Sequence, residues 1–253
     1  MELKRDIYDK LLEWKKRNSH KVMELEGARQ VGKTFILNQF SREYESYIYI
    51  NMIGTTGQRF LRCLETASSW EPGQIPVEKP VHKAFELYDP NFVDDEGLLV
   101  VIDEIQDSSV VYSKIREFSR DFNCHFIVTG SYLGKTREKE YFLSAGDVES
   151  LTMTSLTFPE FLDAFQLREL YERIDLFGSS SHEDYDKLKR YFDVYLHIGG
   201  YPEVIKTYIE TGSMEACADL IENLVAIFVK ESTRYFDNPL ETAAFDKVFS
   251  SIA

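Results

Sequence analysis

Apolar positions change their spacing once along this chain, near residue 157, and that change divides it. Before it, Ile7, Leu11 and Trp14 fall at i, i+4 and i+7, which predicts a helix over 6–18. Residues 21–26 predict a short strand running into Gly27. A glycine-rich turn follows, then a helix over 33–44 and a second strand from Tyr47 to Met52. Residues 53–97 are the least patterned and hold Trp70, Pro72, Pro76 and Pro80; two short helices are expected there, near 57–67 and 80–88. Leu98 to Ile102 is a continuous apolar run after Gly97, as expected of a strand buried on both faces. A helix near 110–121, a strand from Phe126 to Thr129 ending at Gly130, and a last strand near 149–153 complete the series. Strands alternating with helices predict a parallel sheet covered on both faces.

Beyond residue 157 the spacing is helical throughout. Phe158, Phe161, Leu162 and Phe165 make one stripe, and Tyr185, Leu188, Tyr191 and Tyr195 another. Residues 214–235 form a longer helical stretch. Asn238-Pro239-Leu240-Glu241 has the form of a helix start, continued by Phe245, Val248, Phe249 and Ile252 to the final residue. The expectation is an α/β domain over 1–156 and a helical domain over 157–253, running on into a longer protein.

Composition narrows the function classes. Hydrophobic residues at 43% and aromatics at 14% are enough for a sizeable core in 253 residues without staples. A net charge of −14 repels phosphate backbones and anionic lipid, so neither a nucleic acid nor a membrane is expected as a partner of 1–253. Three cysteines, Cys63, Cys124 and Cys217, without a C-x-x-C spacing, argue against a disulfide framework or zinc site and for a reducing cytoplasm.

The chemistry begins at Gly27-Ala28-Arg29-Gln30-Val31-Gly32-Lys33-Thr34, which matches G-x-x-x-x-G-K-[ST]. Two glycines let the backbone wrap a phosphate, and the helix starting near Lys33 aims its positive end at the same anion. The Lys33 ammonium reaches the β- and γ-phosphates, and the Thr34 hydroxyl ligates Mg²⁺. With Phe35 next in line, Gly27 to Phe35 is the expected ATP- and ADP-binding stretch. Asp103 and Glu104 follow the apolar run at the carboxyl end of its strand, 70 residues past Lys33. There Asp103 is placed to hold the metal and Glu104 to polarise the attacking water. Thr129 and Ser131, at the end of the next strand, are candidates for the γ-phosphate or the water, with Ser131 preferred as a catalytic residue beside Lys33 and Glu104. Gly199-Gly200-Tyr201-Pro202 reads by itself as helix end, turn and helix start. No Asn-Lys-x-Asp guanine-reading motif follows the core strands, which disfavours a GTPase.

With these residues in hand, the chain resembles a branch of the AAA+ superfamily, the bacterial and archaeal ATPases close to the signal-transducing ATPases with numerous domains. The resemblance rests on the P-loop form, Asp103-Glu104-Ile105-Gln106, Val128-Thr129-Gly130-Ser131, Leu156-Thr157-Phe158-Pro159-Glu160-Phe161 and Gly199-Gly200-Tyr201-Pro202-Glu203. It implies a P-loop NTPase core followed by a small all-helical lid, with Pro202 packing on the adenine. It also implies a winged-helix region and C-terminal domain beyond residue 253, through which a homo-oligomer or a protein partner would form. Two departures stand out. Ala145-Gly146-Asp147 lacks the arginine that related chains often carry, and Arg116, Arg120 and Arg234, each read first as a solvated helix residue, are candidate arginine fingers.

Overall fold

The computed structural model describes residues 2–17, 19–69, 78–130, 146–175 and 181–232, with Ala243, Ala244 and Lys247. They divide into two compact units, Ile7–Met153 and Met1–Asp6 with Thr154–Ala253.

The first unit opens with α1 (Ile7–Arg17), which buries the Ile7, Leu11 and Trp14 stripe. Then come β1 (Val22–Glu26), α2 (Lys33–Phe40), β2 (Ser46–Asn51), α3 (Thr55–Ser68) and α4 (Pro80–Tyr88). The order continues with β3 (Leu98–Asp103), α5 (Ser109–Tyr112), α6 (Ile115–Arg120), β4 (His125–Gly130) and β5 (Val148–Thr152). The helix expected over 110–121 is therefore two short pieces, parted at Ser113 and Lys114. All strand pairs are parallel, in the order β2-β3-β4-β1-β5. Every residue of β3 and of β4 is buried, as inner strands of a covered sheet must be.

Period-two alternation splits the core between the two faces of the sheet. Ile48, Ile50, Val100, Ile102, Phe126 and Val128 pack with Phe60, Leu64, Phe85 and Phe118 from the helices on one side. Phe118 stacks on Phe126 at 4.6 Å between ring centroids. On the other side Trp14 meets Phe40 at 6.4 Å and His125 at 5.2 Å, which joins α1, α2 and the start of β4.

The order of strands, rather than their number, builds the site. β4 lies between β1 and β3, and the registers pair Glu26 with Gly130 and Asn51 with Asp103. The carboxyl ends of β1, β4, β3 and β2 therefore share one edge, with the end of β4 between the loop after β1 and the acids after β3.

The second unit holds α7 (Phe158–Asp163), α8 (Arg168–Glu172), α9 (His182–Ile198), α10 (Pro202–Thr211) and α11 (Met214–Ser232) around Leu156, Phe161, Leu162, Leu188, Val204, Ile205 and Leu224. Residues 1–6, counted with the α/β part from the sequence, group here instead, and Leu3 lies in this core. Their attachment is ionic and buried. Arg5 Nε donates to Glu160 Oε1 at 3.2 Å, Arg5 Nη2 to the Thr154 carbonyl at 2.6 Å, and the Asp6 N–H to Glu160 Oε1 at 2.8 Å. Glu160 also completes a capping box with Thr157 at the start of α7. The helix expected from Asn238 onward lies outside the described residues.

Candidate functional site

The loop between β1 and α2 is shaped by positive φ angles: 150° at Gly27, 62° at Gln30 and 100° at Gly32. At Gly27 space compels glycine as well, because a Cβ there would stand 2.2 Å from the Met153 carbonyl oxygen. Gly32 is the N-cap of α2, and no side chain caps that helix, nor does an acid sit in its first turn. A helix start with neither a side-chain cap nor an acid suits an anion. Val31 is buried and anchors the loop, while Ala28, Gln30, Thr34 and Phe35 are exposed.

Lys33 stands at the first turn of α2. Its Nζ donates to the carbonyls of Gly27 at 2.7 Å and Ala28 at 2.8 Å, spanning its own loop. Burial pulls its pKa below the ordinary lysine value, Glu104 and Asp103 act the other way, and Arg29 adds to the lowering. An ammonium drawn from water beside a concave loop of backbone donors suits a polyphosphate.

Two distant motifs meet next to it. Thr34 Oγ1 donates to Asp103 Oδ2 at 3.4 Å. A hydroxyl and a carboxylate are hard oxygen donors of the kind Mg²⁺ takes alongside phosphate oxygens and water, so these residues fit that ion. Asp103 is buried and well held: Oδ1 accepts the Glu104 N–H at 2.9 Å, and Oδ2 also accepts the Tyr49 hydroxyl at 2.5 Å. Burial first, then the bond to Asp103, push the Tyr49 phenol up to about 12, so it remains a donor at neutral pH.

Glu104 adopts a left-handed backbone, φ 53° and ψ 43°, which costs a non-glycine residue on the order of 1 kcal/mol. That turn lets the chain leave β3 with the Glu104 side chain half-exposed rather than in the sheet. Gln106 Nε2 donates to Glu104 Oε2 at 2.5 Å. The same amide lies over the end of β4, where a Cβ on Gly130 would meet Gln106 Oε1 at 2.0 Å. Next to it Thr129 is fully buried, and its Oγ1 has no hydrogen-bond partner among the described residues. Ser131, the residue preferred from the sequence, lies outside the described residues, as does Arg234.

The other arginine-finger candidates have a partner. Asp147 is buried, and Arg120 grips it through Nε at 2.8 Å and Nη2 at 3.3 Å, with Arg116 Nε 3.4 Å away. The acid at 147 ties α6 to the start of β5, and its carbonyl accepts the Val22 N–H at 3.0 Å. In the helical unit, Pro202 occupies the first turn of α10. Gly199 ends α9 with φ 70°, and a Cβ on Gly200 would stand 2.2 Å from the Leu156 carbonyl oxygen.

Sequence reasoning named the loop, both acids and Thr34 as a set, and the structure brings Lys33, Thr34, Asp103 and Glu104 together. It missed Tyr49 and gave Gln106 no role. The signal for Tyr49 was a polar aromatic within the strand expected from Tyr47 to Met52, whose neighbour the sequence did not name.

Among known proteins, a family model described as an AAA domain matches residues 19–162. The chain is similar to the solved structure of a Walker-type ATPase of Pyrococcus abyssi, with a TM-score of 0.54 and 14% identity over 92% of this chain and 76% of that one. It is also similar to PCH-2 of C. elegans, with a TM-score of 0.49 and 14% identity over 86% of this chain and 67% of that one. For a signal transduction ATPase with numerous domains from Pyrococcus horikoshii the TM-score is 0.46 and the identity 14%, over 94% of this chain and 36% of that one. The chain spans about half the length of several other solved structures it matches. At such identities the first likeness shows the fold alone. No curated protein matches the chain. Among the described residues no helix is long and apolar enough to cross a membrane.

Proposed function

From a chain that belongs to the AAA domain family and carries its P-loop ATPase fold, we propose a Mg²⁺-dependent ATPase whose chemistry lies along the carboxyl edge of the sheet. The observation that carries this is the meeting of Thr34 and Asp103 at 3.4 Å, since it joins the phosphate loop to the acids of β3 across 69 residues of sequence. Backbone N–H groups of residues 28–33 and the Lys33 ammonium take the phosphates. Thr34 and Asp103 hold the metal, which supplies positive charge to the β- and γ-phosphate oxygens when bound. Glu104 accepts a proton from the attacking water as its oxygen bonds the γ-phosphorus. The bond to the bridging oxygen breaks, and ADP and phosphate leave. Thr129, with its buried hydroxyl near the end of β4, is a candidate donor to the γ-phosphate or the water, and Ser131, two residues on in sequence, is the other. Pro202, in the helical lid over 157–253, is the candidate contact for adenine. Catalysis of this kind is positioning and electrostatics rather than covalent chemistry.

A second reading is a nucleotide-dependent switch with little turnover. It is favoured by the hold of Gln106 on Glu104 and by the commitment of Arg116 and Arg120 to Asp147. In that case ATP or ADP sets the affinity for a protein partner or a second copy, and its differential binding to two states drives the change. The three free cysteines support a cytoplasmic setting under either reading.

Calorimetric titration of Mg²⁺-ATP into the wild type and Lys33→Ala tests the site common to both. Loss of the ammonium is expected to weaken binding roughly a hundred-fold, the upper range for one charged group on phosphate. Equal affinity in the two proteins would remove the phosphate site from this loop.

A further inference from the structure

We propose that Tyr49 is a positioning residue for Asp103, and that its phenol sets how strongly this site couples Mg²⁺ to nucleotide. The inference rests on the reading of Thr34 and Asp103 as the metal-holding pair.

Among the described residues β2 is an edge strand, paired with β3. Tyr47 and Tyr49, two residues apart, share a face, with ring centroids 6.3 Å apart. Each hydroxyl reaches away from the strand to a different target. Tyr47 donates to Asn38 Oδ1 on α2 at 3.2 Å, and Tyr49 donates to Asp103 Oδ2. That same oxygen accepts the Thr34 hydroxyl. The two tyrosines thus form a ladder from the body of α2 to the carboxylate.

The consequence for Asp103 is specific. Its Oδ1 is fixed by the Glu104 N–H and its Oδ2 by two hydroxyls, so both the plane of the carboxylate and the direction of its free lone pairs are set before any cation arrives. Without the phenol, Oδ1 keeps the Glu104 N–H at 2.9 Å but Oδ2 keeps only the longer bond from Thr34 at 3.4 Å among those described, and the Lys33 ammonium, whose charge Asp103 supports, competes for that oxygen. A carboxylate turned to Lys33 is lost to the metal while the phosphate loop itself remains intact.

The test is nucleotide binding as a function of free Mg²⁺, with ATP as the probe, in the whole chain. Tyr49→Phe keeps the ring and removes only the hydroxyl. It should leave metal-free ATP affinity within roughly twofold of wild type. The Mg²⁺ concentration that gives half the metal-dependent gain should rise roughly ten-fold, the scale of one hydrogen bond to a charged group. Tyr47→Phe, which loses the bond to Asn38 alone, should leave the Mg²⁺ curve in place. In an Asp103→Asn background Tyr49→Phe should add no further shift, because the phenol acts through that carboxylate. A wild-type Mg²⁺ curve in Tyr49→Phe overturns the proposal, as does an undiminished shift in the Asp103→Asn background. An equal fall in metal-free affinity also overturns it, since it would place the effect in the loop or the fold. A wild type whose ATP binding ignores Mg²⁺ removes the metal reading of Thr34 and Asp103, and the role of Tyr49 with it.

Discussion

Gly27 and Lys33 divide the work of the phosphate loop between shape and charge. Gly27 holds φ at 150° against the carbonyl of Met153, and Lys33 closes the loop through two carbonyl oxygens of that same turn. Before it can meet a phosphate the ammonium must exchange those bonds, which are with neutral acceptors, for charged ones. The exchange is favourable because a phosphate oxygen brings the opposite charge that a carbonyl oxygen lacks. Gly27→Ala meets both a steric and a conformational obstacle, and should lower the stability of Ile7–Met153 by about 3 kcal/mol. Urea unfolding followed by far-ultraviolet circular dichroism measures this, and a loss under about 1 kcal/mol would mean that the loop relaxes away from Met153. The requirement for glycine at 27 was legible as the first position of a motif. Its steric cause was not, because Met153 lies 126 residues away in sequence.

Elements carry the next level of the account. The strands were legible because β3 and β4 are apolar on both faces, and α1 because Ile7, Leu11 and Trp14 repeat at helical spacing. Their order was not, since parallel alternation is compatible with several arrangements and only packing selects β4 as the strand between β1 and β3. Tyr49 escaped notice for the same reason: a tyrosine in a β-rich run reads as sheet packing until its neighbour strand is known. The attachment of residues 1–6 was also hidden, because a buried pair such as Arg5 and Glu160 leaves no periodic trace. Arg5→Ala would leave the buried Glu160 carboxylate without its counter-charge and take a donor from the Thr154 carbonyl, at a cost of about 3–5 kcal/mol. The urea midpoint of the helical unit, followed by a probe in Thr154–Ala253, should fall accordingly. An unchanged midpoint would show that the N-terminal segment is not held by this pair.

At the scale of the whole molecule, two compact units divide the features that the sequence assigned to one reaction. The phosphate loop, Asp103 and Glu104 lie in Ile7–Met153, and Pro202 lies with the helices of the other unit. Hydrolysis needs the first set alone, whereas a switch needs the second to respond to it. The account therefore turns on Glu104, whose left-handed backbone carries it out of the sheet and whose carboxylate is held by Gln106. Steady-state phosphate release from Mg²⁺-ATP, with wild type beside Glu104→Gln over a range of protein concentrations, separates the readings directly. With Glu104 as the base, the wild type should turn over measurably and the variant should fall roughly 10²–10⁴-fold with ATP still bound. Equal turnover in the two proteins would contradict the assignment of Glu104, and negligible turnover in both with tight binding would contradict an ATPase and leave the nucleotide switch.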